Sequence, residues 1–516
     1  MRQVFSRAEW GAAGATALLL ILSFPNFEFY PLAWIALVPL LVVIARRPDP
    51  KRAFILGWLV GSIFFYTTCY WLTYSMIHYG GLPTLLAYLL LIPGAIVIGI
   101  FPGLFALLLA LTLKKWSVWA TLLAPIFWTT CEWVRLGVTG QLWNALGYSQ
   151  AYHWFLTQPA RWGGVYAVSF LIVVINASLA LFIIKRTRWT IATTLATILA
   201  VAFVIFASPG TFRYLDPISH DRDVKIVAVQ PNVPMTVVKT VAETNELLER
   251  HFALSEHGLQ SLSDTSEPRL VIWPESPMNF AYSSDKALQE RLADFTKQNH
   301  TMLLFNSQER APADGAYNSA LLINEDGHLI SQYDKIRLMP FGEYVPLPQW
   351  LPGASLISGI VGEFTPGDRY TLMPVGNRSA GVFICIESAY PWIARRLSND
   401  GAQMLINISN DGYLGPTAVM RQHLANAIFR AAENGKPVLR VTNTGLTALI
   451  DDRGEVLDLT GPFQADVRVW YEPVSSSSST FYTRHGDLFV QLCTALTLLI
   501  LIAILFSGRR SFERLR

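Results

Sequence analysis

Charge is what this sequence has least of: Asp, Glu, Lys and Arg make up 15% of its 516 residues, and the net charge is only +3. With 52% hydrophobic residues, much of such a chain belongs in lipid rather than water. The near-balanced charge, with no basic patch interleaved with aromatics in the polar part, argues against a nucleic-acid partner. Cysteine is scarce as well, present only as Cys69, Cys131, Cys385 and Cys493. Three of these fall in apolar segments, which leaves Cys385 without a disulfide partner in its own surroundings. Neither CxxC nor HExxH occurs, so a zinc site is not expected, and no cofactor is called for.

What is present in quantity is long apolar sequence. Roughly 20 apolar residues cross a bilayer as a helix. Stretches near 8–25, 30–46, 54–75, 84–113, 116–135, 163–185, 189–207 and 488–507 read as eight such spans, with Pro93 and Pro102 placed to kink or break the fourth. Basic clusters at Arg2/Arg7, Arg46-Arg47 with Lys51-Arg52, Lys114-Lys115, Lys185-Arg186-Arg188 and Arg509-Arg510 alternate with loops poor in Lys and Arg. The positive-inside rule then puts both termini in the cytoplasm and the long polar stretch after span seven outside it. The loop 136–162 is rich in Trp, Tyr and Gly and contains Trp143 and Tyr148. It reads either as an interfacial aromatic belt or as a lipid-binding wall made by those two residues. Glu132 and Arg135, three apart at a span end, are placed for a local ion pair.

The polar stretch 220–470 alternates short apolar runs with amphipathic ones. Strands are expected at 224–230, 270–273, 302–306, 319–323, 381–386, 404–409 and 438–442, and helices near 240–262, 284–298, 390–399 and 416–434. Glu325-Asp326-Gly327 and Asp452-Arg453-Gly454 read as hairpin turns. The domains expected are therefore a seven-span membrane domain over 1–210, an α/β domain over 220–470, and a linker, eighth span and tail over 471–516.

Three polar groups in the α/β stretch each follow an apolar run: Glu275 in Trp273-Pro274-Glu275-Ser276, Lys335 in Tyr333-Asp334-Lys335, and Cys385 in Phe383-Ile384-Cys385-Ile386. A carboxylate, an amine and a thiol are the parts of an acyl-transfer site. A thiol of ordinary pKa near 8.5 is only a few per cent thiolate at neutral pH and needs a base or a cation beside it. Glu275 can take the proton, and Lys335 can favour the thiolate and the oxyanion of a tetrahedral intermediate. Taken singly, each has an ordinary reading: a buried structural cysteine, a solvated loop carboxylate, a surface lysine.

Together these residues resemble the nitrilase superfamily, in which Glu, Lys and Cys occur in this order. The matching segments are VIWPES at 271–276, YDKIRLMPFGEYVP at 333–346 and GVFICIES at 381–388. With spans on both sides, and with ALGYSQ at 145–150, VQPNVP at 229–234 and RHGD at 484–487, the chain resembles the apolipoprotein N-acyltransferase family of Gram-negative bacteria over nearly its whole length. That resemblance implies an external αββα sandwich at the periplasmic face of the inner membrane. It implies ping-pong transfer of an acyl chain from a phospholipid, typically phosphatidylethanolamine, to the α-amine of a diacylglyceryl-cysteine on an apolipoprotein. It makes Glu275 the base, Lys335 the oxyanion support and Cys385 the nucleophile, with Glu343 and Glu387 supporting. Two positions depart from the family pattern: Ile386 stands where Tyr is frequent, and Lys239 where Trp is frequent. The apolar, proline-rich segment Pro346–Gly362 is expected to be a mobile gate at the lipid interface. A membrane-anchored amidase hydrolysing a small amide is the alternative that uses the same three residues. A receptor or transporter with a degenerate domain of this kind is the non-enzymatic one.

Overall fold

The computed structural model of the chain describes residues 5–208, 224–235, 239–262, 267–312, 315–340, 342–344, 364–471 and 479–513. The segment expected to act as a gate, Pro346–Gly362, lies outside the described residues, as do linker residues 472–478. The chain forms two compact units. One comprises Met1–Leu215, Thr417–Ala425 and Arg484–Arg516, and the other Asp216–Pro416 and Asn426–Thr483.

The first unit is helical. Among the described residues four helices are long and apolar enough to cross a membrane: Thr84–Lys115, Ala160–Ile184, Arg188–Ala207 and Leu488–Phe506. Pro50–Thr68 and Leu72–His78, bent by 48° at their junction, make a fifth if they count as one span. Arg7–Leu22 and Ala124–Thr139 have 16 residues each, about 24 Å of helix against a hydrocarbon core of about 30 Å. Thr84–Lys115 is one helix with Pro93 and Pro102 inside it, so of the kink or break open to those prolines the break does not occur. Glycines explain how it packs. A Cβ on Gly57 would stand 2.4 Å from the carbonyl oxygen of Pro102, and one on Gly99 2.3 Å from Oγ of Ser62. Gly57/Gly61 and Gly99/Gly103 are thus small-xxx-small faces that let two helix backbones touch. Glu132 and Arg135 do not pair with each other. Glu132 Oε1 accepts from the backbone N–H of Leu146 and the indole of Trp128, while Arg135 donates to the carbonyl of Trp143.

The second unit holds two six-stranded sheets. With β1 Lys225–Gln230, β2 Arg269–Ile272, β3 Met302–Arg310, β4 Ala316–Ile323, β5 Leu329–Asp334, β6 Leu372–Val375, β7 Arg378–Ile384, β8 Met404–Ser409, β9 Val438–Thr442, β10 Ala448–Ile450, β11 Val456–Leu459 and β12 Asp466–Tyr471, the orders are β12-β1-β2-β3-β4-β5 and β11-β10-β9-β8-β7-β6. Strands β1–β3 and β7–β9 are parallel, and hairpins and edges complete each sheet. Period-two alternation sorts the side chains. Ile226 and Ala228 join Leu304, Val382, Ile406 and Val441 in the core between the sheets. Val227 and Val229 turn the other way, toward Leu248, Phe252, Leu292 and Phe295 of helices Val241–Gln260 and Lys286–Asn299. On the second sheet Ala380 and Val382 face inward and Gly381 faces outward. A Cβ at Gly381 would lie 2.8 Å from Leu397 on helix Pro391–Asn399. Helices therefore cover the outer faces and the layers run helix, sheet, sheet, helix. The turns expected at Gly327 and Gly454 are present, with φ of +81° and +86°. Strand β12 pairs antiparallel with β1, so the chain returns to the first sheet after completing the second.

Candidate active site

Each chemically active side chain stands just past the end of a strand. Glu275 follows β2 by three residues, beyond Trp273, whose buried indole donates to Ser255 at 2.9 Å and fixes the turn. Lys335 follows β5 directly, its backbone N–H donating to the carbonyl of Asn318 at 2.8 Å. Cys385 follows β7 directly with φ of +51°, a left-handed conformation that turns the chain sharply at the strand end. Carboxyl ends of parallel strands are where open α/β sheets present their reactive groups.

The charged groups meet. Nζ of Lys335 lies 2.9 Å from Oε1 and 2.8 Å from Oε2 of Glu343, and 3.5 Å from Oε1 of Glu275. Glu343 Oε2 also accepts the backbone N–H of Met339 at 2.7 Å. The amide Nδ2 of Asn318 donates to Oε1 of Glu275 at 2.9 Å and to Oε1 of Glu343 at 2.6 Å. Burial disfavours the Lys335 ammonium, but the charges of Glu275 and Glu343 outweigh it and hold the amine well above its ordinary pKa. Lys335 is a fixed cation, not a base.

Cys385 is within reach of these charges. Burial raises its thiol well above the ordinary range, and the negative charge of Glu275 adds to this. Lys335 and a hydrogen bond with Ser409 pull the other way without reversing it. The resting group is thus a neutral thiol, so a thiolate appears only when a proton leaves.

Glu387 has a different position. It is fully buried, with its oxygens accepting from the hydroxyl of Tyr333 and the backbone N–H groups of Ile336, Arg337 and Ile384. Those donors flank Lys335 on one side and Cys385 on the other, so one carboxylate ties the two segments together. Burial pushes its carboxyl up to about 7 against the backbone donors of Ile384 and Arg337. Trp143 and Tyr148 are buried residues of the helical unit. Asn318, which no expectation from the sequence includes, joins the group through its side-chain amide. Its segment, Tyr317-Asn318-Ser319, carries nothing that separates this amide from one facing water.

Residues 16–178 match the apolipoprotein N-acyltransferase N-terminal domain, and residues 228–471 match the carbon-nitrogen hydrolase family. An apolipoprotein N-acyltransferase of Geobacter metallireducens is 30% identical over 500 residues, covering 95% of this chain and 94% of that protein. One from Thermotoga maritima is 27% identical over 510 residues, covering 96% and 94%. Among solved structures, an amidase from Nesterenkonia sp. superimposes with a TM-score of 0.37 at 15% identity, covering 52% of this chain and 95% of that one. A full-length relationship at the first of these identities places the chain in the apolipoprotein N-acyltransferase family.

Proposed function

We propose that the chain moves a fatty acyl group from a phospholipid onto Cys385 and then onto the α-amine of a diacylglyceryl-cysteine at an apolipoprotein N-terminus. Glu275 takes the thiol proton as sulfur attacks the ester carbonyl, and Lys335 holds the oxyanion that forms. The carbon–oxygen bond to glycerol breaks, the proton passes from Glu275 to the departing oxygen, and a lysophospholipid leaves. The acceptor amine then attacks the thioester. The carbon–sulfur bond breaks and the amine proton, carried by Glu275, restores the thiol. Glu343 fixes Lys335, and Glu387 fixes the backbone on either side of the reacting pair. The observation that carries this reading is the buried Lys335 held between Glu275 and Glu343 beside a neutral Cys385 thiol, in a chain of this family.

Phosphatidylethanolamine is the proposed donor, and Trp143 and Tyr148 are proposed to face lipid substrate. Eight spans, with the strand-rich domain over 220–470 on the periplasmic side of the inner membrane and both termini cytoplasmic, complete the proposal. The charge alternation of the loops supports that direction. Both substrates are lipids, and holding the site at the bilayer avoids extracting acyl chains at about 0.8 kcal/mol per CH₂. The test is intact-protein mass after incubation with phosphatidylethanolamine alone. The expected product is a fatty acyl adduct that disappears in Cys385→Ala. No adduct, with hydrolysis of small amides instead, would favour the amidase.

A further inference from the structure

Around Lys335 the polar atoms alternate as donor and acceptor in a closed ring. Asn318 Nδ2 lies 2.9 Å from Oε1 of Glu275, which lies 3.5 Å from Nζ of Lys335. That nitrogen lies 2.9 Å from Oε1 of Glu343, which closes the ring at 2.6 Å from Asn318 Nδ2. The longest edge joins Lys335 to Glu275. The amide therefore holds the base closer than the ammonium does. Two ionised carboxylates accept only, so the asparagine must present its NH₂ to them. Asn306 secures that orientation: its Nδ2 donates to Oδ1 of Asn318 at 2.7 Å and to the carbonyl of Ser319 at 3.0 Å.

We propose that Asn318 is a positioning residue for Glu275, tying one oxygen of each carboxylate to a single fixed amide whose orientation Asn306 sets. Asn318 and Lys335 both bond Oε1 of Glu275, and the thiol proton is assigned to Oε2. The inference rests on the reading that Glu275 takes this proton. The charged groups facing the base are Lys335 and Glu343 from the segment after β5 and the thiol of Cys385 at the end of β7, with Asp411 acting on the thiol. Asn318 and Asn306 are neutral at every pH tested, so their effect on the base is through hydrogen bonding alone.

Removing a donor from an ionised carboxylate disfavours that ion, which raises its pKa. The acid limb of thioester formation must then move to higher pH. The experiment measures the rate of acyl adduct formation on Cys385, by intact mass, in the detergent-solubilised full chain with phosphatidylethanolamine micelles from pH 4 to 9. Asn318→Ala is expected to slow the step about ten- to a hundredfold at neutral pH, with the limb displaced upward by about one pH unit. Asn306→Ala leaves every carboxylate contact in place and is expected to displace the limb the same way by less. If Asn318→Ala does not fold, Asn306→Ala decides. A limb that stays in place in a folded variant, with the rate lowered equally at all pH, overturns the inference while leaving acyl transfer intact. A wild-type protein that forms no adduct overturns the acyl-transfer reading and this inference with it.

Discussion

Nζ of Lys335 straddles the carboxylate of Glu343, 2.9 Å from one oxygen and 2.8 Å from the other, with 1% of the lysine side chain exposed. Such a buried cation holds two acids in place, and its removal leaves them facing each other uncompensated. Breaking a buried pair by deleting one partner costs about 3–5 kcal/mol. Lys335→Met is expected to lower the thermal midpoint clearly and to abolish acyl-adduct formation. Lys335→Met with Glu343→Gln removes one of the stranded charges and is expected to recover much of the midpoint and none of the adduct. A single variant with wild-type stability would show that the carboxylates do not depend on the ammonium.

The Cys385 thiol offers a second test, through its titration. Burial and the charge of Glu275 hold its pKa above the ordinary thiol range. Alkylation of the resting protein by iodoacetamide tracks the thiolate fraction. The rate is therefore expected to keep rising through pH 9. Glu275→Gln removes the adjacent negative charge, so its alkylation curve is expected to shift to lower pH even though acyl transfer is lost. A plateau below pH 8 in the wild-type protein would mean that a preformed thiolate, and not proton transfer to Glu275, starts the reaction.

Seven of the twelve strands were legible because both of their faces are buried, which writes a short apolar run such as Val227-Ala228-Val229 into the sequence. Those missed lie at edges or in hairpins. Strand β11 alternates half-buried and exposed positions, and β12 carries Asp466 and Arg468, so neither makes an apolar run. That β12 closes onto β1 depends on a contact over 200 residues away, which local pattern does not encode. Glu275, Lys335 and Cys385 could be read because each ends an apolar run. Asn318 and Gln422 could not, since an amide bridging distant partners looks the same in sequence as one facing water. Arg7–Leu22 and Ala124–Thr139 mark the other limit: apolar composition identified them, but helix length sets whether a segment alone can cross a bilayer.

Glu387 accepts from Tyr333, Ile336, Arg337 and Ile384. Glu387→Gln would turn an NH₂ toward N–H groups, stranding buried donors at about 1–3 kcal/mol each. Loss of most adduct formation and a lower thermal midpoint are expected, with a milder loss in Tyr333→Phe. Burial moves the folded carboxyl from an ordinary 4.5 up to about 7. The folded state then binds more proton than the unfolded one between those values. This group's contribution to stability is present below the lower value and declines as pH rises through the upper one. The midpoint of the wild type, compared with that of Glu387→Gln, should fall from pH 4.5 to pH 7. A constant difference would mean that the carboxyl ionises normally.

In the helical unit, Gln422 links three other segments of the chain. Its Oε1 accepts the indole N–H groups of Trp71 at 3.0 Å and Trp143 at 2.7 Å, and its Nε2 donates to the carbonyls of Thr68 at 2.9 Å and Pro25 at 3.3 Å. The side chain is buried, so Gln422→Ala leaves two indole donors without a protein partner. Each stranded donor costs about 1–3 kcal/mol. The variant is expected to unfold at a lower temperature and to show altered tryptophan emission. Trp143→Phe removes one donor together with its need for an acceptor. The double variant Gln422→Ala with Trp143→Phe should therefore be less destabilised than the sum of the two single changes, the mark of a direct interaction. Additive effects would show that Trp143 is held by packing against Trp71, 5.3 Å away between ring centres, and not by the amide.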